Sequence, residues 1–69
     1  YMEDEAVEFG KNLKRIRTEK AMSQGDIARA LNVSRGYISN IENGKQNLTI
    51  TTIGRLANVL GVSSSEFLK

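Results

Sequence analysis

Two short segments with helix-spaced apolar residues are separated by only three residues in this chain, and no other feature constrains its fold as tightly. The first set is Ile27, Ala28 and Leu31, the second is Tyr37, Ile38 and Ile41, and Asn32-Val33-Ser34 lies between the two segments. So short a connection can only turn the backbone sharply, so two short helices must cross in contact. Ala28 is small enough to let them approach closely, Val33 plugs the turn, and Ile38 and Ile41 hold the second helix down. The borders carry matching signals. Ser23-Gln24-Gly25-Asp26 resembles a capping box with aspartate in place of the usual glutamate or glutamine, and Ser34 suits an N-cap. Asn32 tolerates the left-handed conformation of helix ends, and Asn43-Gly44 is a strong stop.

Three further segments flank this pair. A helix from about Glu3 to Lys20 carries Val7, Phe9, Leu13 and Ile16 as its apolar stripe, and Gly10 inside it marks close approach of another helix. A fourth segment starts at Thr49 as N-cap, repeats Ile53, Leu56, Ala57 and Leu60 at helical spacing, and closes at Gly61; Leu48 anchors the loop before it. The fifth is short: Ser63 through Glu66 fits a capping box, with Phe67 and Leu68 after it. No alternating strand pattern appears. The expectation is an all-α fold, a compact five-helix bundle. Residues 1–8 would form an acidic lead-in to the first helix and residues 9–69 one domain, with the crossing pair at about 24–43.

Composition removes several kinds of function. The chain has 69 residues, no cysteine and no histidine, so disulfides, thiolate metal sites and the commonest general base are all absent. No catalytic residue, metal site or cofactor is expected, and the chain is not expected to be an enzyme. No apolar run is long enough to span a membrane, which makes a cytoplasmic location the default expectation. Charge is unevenly placed. Glu3, Asp4, Glu5 and Glu8 gather four of the eight acids, leaving ten basic residues against four acidic ones from Phe9 onward, a difference of +6. A basic body of this kind is compatible with a polyanionic partner and equally with a solvated surface.

With Ile38 and Ile41 turned inward, positions 35, 36, 39, 40 and 43 face outward. They are Arg35, Gly36, Ser39, Asn40 and Asn43, short or fork-shaped groups suited to base edges and phosphates. Arg35 could bond both major-groove acceptors of guanine, Asn40 could pair with adenine, and Ser39 faces the same side.

The run Gln24-Gly25-Asp26-Ile27-Ala28-Arg29-Ala30-Leu31-Asn32-Val33-Ser34, followed by Tyr37-Ile38-Ser39-Asn40-Ile41-Glu42-Asn43-Gly44-Lys45, resembles the phage lambda repressor/Cro, or Xre-type, helix-turn-helix family. Leu13, Ile16 and Arg17, and Leu56, Ala57, Leu60, Gly61 and Val62, extend the likeness over nearly the whole chain. Arg35-Gly36-Tyr37-Ile38-Ser39 and Asn47-Leu48-Thr49-Ile50 are similar to the controller proteins of restriction–modification systems. Gly36 and Gln46 depart from the threonine and arginine common there, and Asn32 replaces the usual turn glycine.

The resemblance implies a transcription regulator that binds operator DNA as a homodimer, with the helix at about 35–43 in the major groove. It implies base reading by Arg35, Ser39 and Asn40. Backbone contacts would come from Ser23, Gln24, Tyr37, Asn43, Lys45 and Gln46, although capping alone would explain Ser23. It implies a structural ion pair between Arg17 and Glu42. A dimer interface is expected at Val59, Val62, Phe67 and Leu68, Phe67 because so short a last helix leaves it incompletely covered. RNA polymerase is a further partner of such regulators, but the acidic residue that controllers carry outside the second helix is Gly25 here. Two alternatives stand beside this reading: an antitoxin-like protein-interaction module with autoregulatory DNA binding, and the DNA-binding part of a longer ligand-sensing regulator.

Overall fold

The computed structural model describes residues 2–68, with side chains from Glu5 onward. The outer ends of the two expected ranges, at Tyr1 and Lys69, and the side chains of Glu3 and Asp4 in the acidic lead-in lie outside the described residues. The helices are α1 (Met2–Glu19), α2 (Gln24–Leu31), α3 (Arg35–Glu42) and α4 (Ile50–Leu60), followed by a 3-10 turn over Ser64–Leu68. The all-α expectation stands, but the fifth helix does not form. After Val62 only one tight turn follows, and the Ser63 hydroxyl accepts from the Ser65 N–H two residues on.

Helices α2, α3 and α4 start and stop where their sequence signals lie. In α2, Ser23 Oγ accepts from the Asp26 N–H at 3.0 Å and the Asp26 carboxylate accepts from the Ser23 N–H at 2.8 Å, a complete capping box. Ser34 and Thr49 cap α3 and α4 through the N–H groups of Tyr37 and Thr52. All four helices end alike, with a left-handed residue after the last turn: Ala21 at φ 58°, Asn32 at 59°, Gly44 at 72° and Gly61 at 69°. The following N–H reaches back five residues in every case, from Met22 to Arg17, Val33 to Ala28, Lys45 to Asn40 and Val62 to Ala57. These bonds satisfy carbonyls that a helix end otherwise leaves open.

The core is one cluster drawn from every element: Phe9, Leu13 and Ile16 of α1, Ile27, Ala28 and Leu31 of α2, Ile38 and Ile41 of α3, Leu56, Ala57 and Leu60 of α4, and Phe67 of the closing turn. Met22, Val33, Tyr37, Leu48, Ile53, Val59 and Val62 pack around it. Phe67 corrects an expectation. It is 1% exposed, its ring lies 4.9 Å from that of Phe9, and Asn12 of α1 donates to its carbonyl at 2.7 Å. The 3-10 turn folds back over α1, so Phe67 is core and not free to form an interface.

Gly10 lets α1 and α3 meet. A Cβ at this position would collide with the Ile41 carbonyl oxygen and approach the Glu42 carbonyl oxygen to 2.5 Å. Arg55 of α4 binds α2 by donating to the Leu31 carbonyl at 2.7 Å. No described helix is long and apolar enough to cross a membrane.

Candidate nucleic-acid interface

Helix α3 is held from its inner side. Ile38 and Ile41 are fully buried, and Glu42, in its last turn, is the one buried charged residue among the described residues. Arg17 of α1 grips that carboxylate in a fork: Nε to Oε2 at 2.6 Å and Nη2 to Oε1 at 3.1 Å. Nη1 of the same guanidinium donates to the Met22 carbonyl at 2.9 Å. The hydrogen bond to Glu42, helped by the carboxylate's charge and opposed by burial, raises the Arg17 pKa above its ordinary value. The two residues expected to pair are thus brought together, and the pair fixes the end of α3 against α1.

Gln24 joins the same group. Its amide Nε2 donates to Glu42 Oε1 at 3.0 Å, and the side chain is half-buried. The expected phosphate contact at Gln24 therefore has a competing internal partner that sequence reasoning missed. A glutamine at the first position of a helix carries no sign of which distant carboxylate it meets. Ser23 is exposed and occupied in the capping box. The carboxyl of Asp26 is held below the usual carboxylate range, first by the Ser23 N–H and hydroxyl and then by Arg29.

The outer side of α3 is different. Arg35, Gly36, Asn40 and Asn43 are exposed and Ser39 is half-buried, so the base-reading candidates share one face of one helix. Among the described residues the one hydrogen bond between side chains on this face is a long one, from Asn43 Nδ2 to Ser39 Oγ at 3.4 Å. Tyr37 is half-buried with its ring against the core, and Lys45 is exposed just past the helix end while Gln46 is half-buried. Among the described residues Arg35 and Lys45 form no ion pair, nor do Lys14, Lys20 and Arg55, whereas Lys11, Arg15, Arg17 and Arg29 each have an acidic partner. Two cations without internal partners thus flank a charge-free face of amide and hydroxyl groups. Among the described residues no group of three or more acidic side chains could hold a metal ion.

Of the positions expected at a dimer interface, Val59 and Val62 are half-buried against the core, and Leu68 is 75% exposed. Leu68 borders a shallow hollow of about 470 Å³ lined also by Glu5, Glu8, Phe9, Asn12 and Phe67. Ile50, at the start of α4, is 89% exposed and was not singled out by sequence, since an apolar residue after an N-cap reads as ordinary helix.

The helix-turn-helix family model matches residues 13–67, which includes all of α2, the turn and α3. The chain is 38% identical over 66 residues to the control protein C.MunI of a Mycoplasma species, covering 94% of this chain and 89% of that one. It is 36% identical over 61 residues to the control protein C.BamHI of Bacillus amyloliquefaciens, covering 87% and 75%. The crystal structure of the restriction–modification controller protein C.AhdI from Aeromonas hydrophila superposes with a TM-score of 0.85 at 32% identity, over 90% of this chain and 94% of that one. Fold, motif and relatives agree, and the chain belongs to the helix-turn-helix family of transcription regulators, with restriction–modification controller proteins among its near relatives.

Proposed function

We propose that this chain is a sequence-specific DNA-binding regulator that lays α3 in the major groove of an operator and acts as a homodimer. The observation that carries this reading is the division of α3: its inner side is locked by Ile38, Ile41 and the Arg17–Glu42 pair, while Arg35, Asn40 and Asn43 stand exposed on the outer side with half-buried Ser39 between them. A helix held from within, with small polar groups and an arginine on its outer face, fits the dimensions and hydrogen-bonding pattern of the groove. Arg35, Ser39 and Asn40 read bases. Tyr37, Asn43, Lys45 and Gln46 position the DNA backbone, with Gln24 and Ser23 at its edge.

A dimer follows from information and size. One helix reaches only a few base pairs, and half-sites on one face of DNA lie about 34 Å apart. Each copy is small, about 31 Å along its longest axis, and presents a single such helix, α3, so two half-sites take two copies. Leu68, with Val59 and Val62, supplies the apolar surface through which two copies join. The controller relatives support a role as an autoregulatory controller or repressor. Selection of bound duplexes from a random pool, followed by sequencing, tests the reading. The expected product is an inverted repeat bound by two copies; a site without inverted symmetry, or a single copy in the complex, contradicts it.

A further inference from the structure

The glycines of the chain fall into two kinds. Gly10 is demanded by the backbone of α3, and Gly44 and Gly61 by their left-handed conformation. Gly36 is demanded by neither. It is the second residue of α3, it has no positive φ, and a Cβ built there would meet only Ser34 Oγ, at 3.9 Å. Glycine is a poorer helix former than alanine, and no close approach or left-handed backbone within the fold calls for it at this position. Gly25 of α2 and Gly54 of α4 are not demanded either: a Cβ at Gly25 would meet only the end of the Arg29 side chain at 3.4 Å and Ser23 Oγ at 3.7 Å, and one at Gly54 no atom within 4 Å. Gly36 is set apart by its place: it lies on one helical face with Ser39, Asn40 and Asn43, at spacings of three, four and seven, opposite the buried Ile38 and Ile41.

The group that projects from the major-groove floor without hydrogen-bonding capacity is the thymine 5-methyl, and the side chain Gly36 lacks is of methyl size. We propose that Gly36 is a specificity-determining residue, whose missing side chain leaves a notch in α3 that seats the methyl of one thymine in each half-site. This inference rests on the DNA reading proposed above.

The test compares the parent with Gly36→Ala and Gly54→Ala. Each is bound to the duplex the parent selects and to copies in which each half-site thymine in turn is replaced by deoxyuridine, which lacks the methyl. Both variants should melt no lower than the parent, and Gly54→Ala should bind as the parent does. Gly36→Ala should lose about ten-fold or more on the thymine duplex, in the range of one base contact, and recover on a single deoxyuridine duplex. Parent-like binding by Gly36→Ala, a loss that no deoxyuridine relieves, an equal loss in Gly54→Ala, or a lower melting temperature for Gly36→Ala overturns the proposal. If the parent selects no sequence at all, the DNA reading itself fails and this inference falls with it.

Discussion

Arg17 and Glu42, twenty-five residues apart, form a two-pronged ion pair whose side chains are 14% and 3% exposed, and the pair joins α1 to the end of α3. Removing either partner strands a charge in a nearly closed site. Arg17→Ala or Glu42→Ala is expected to lower stability by ~3–5 kcal/mol, read as a fall in denaturation midpoint. Variants that melt like the parent yet no longer bind DNA would assign the pair to function instead of fold.

Gly10→Ala should also destabilise, by about 1–3 kcal/mol, because the added methyl meets backbone atoms of α3 that cannot rotate away. Thermal melting of the variant checks this, and an unchanged midpoint would mean that α1 and α3 are not in contact there.

Ala21 offers the opposite change. It closes α1 in the left-handed region at φ 58°, where an L-residue bearing a Cβ is strained. Ala21→Gly is expected to raise stability by about 1 kcal/mol, the relief exceeding the added flexibility of the unfolded chain. Equilibrium denaturation of the two proteins measures the difference, and a loss of stability in the variant would contradict the strain.

Much of this fold was legible because its signals are local. Ser23 with Asp26, Ser34, Thr49, Asn32, Gly44 and Gly61 announce helix ends through their own backbone chemistry, and the apolar spacing of α2, α3 and α4 names the buried residues. The rest depends on which distant groups meet. Phe67 looked uncovered until the chain end folded onto Phe9, and Ala21 bears no sequence mark of a left-handed turn. Gln24 to Glu42, Asn12 to the Phe67 carbonyl and Arg55 to the Leu31 carbonyl are long-range bonds. Arg55 alone gave a hint, as the single charge in an otherwise uncharged α4. The outward face of α3 was legible as a face, since its positions follow from the inward ones, and the Arg17–Glu42 pair was legible through the resemblance.

Acid should act on the capping box. Asp26 has its pKa lowered in the folded chain by its bonds from Ser23, so the ionised form favours folding. That contribution is complete above the ordinary carboxylate range and is lost as pH falls through the lowered folded value. The melting difference between parent and Asp26→Asn should therefore hold steady from neutral pH down to that range and narrow below it. A difference that grows on acidification would reverse the sign.

In the proposed complex α3 reads sequence while its flanks only hold the duplex. The measurement is binding of Arg35→Ala and Lys45→Ala to the selected site and to scrambled DNA at several salt concentrations. Arg35→Ala should lose about 1–3 kcal/mol on the selected site, relax preference at one position of each half-site, and change scrambled binding far less. Lys45→Ala should weaken both DNAs alike and flatten the salt dependence by roughly one unit per contact. Equal losses on both DNAs for Arg35→Ala, together with an altered sequence preference for Lys45→Ala, would contradict the assignment of α3 as the reading helix.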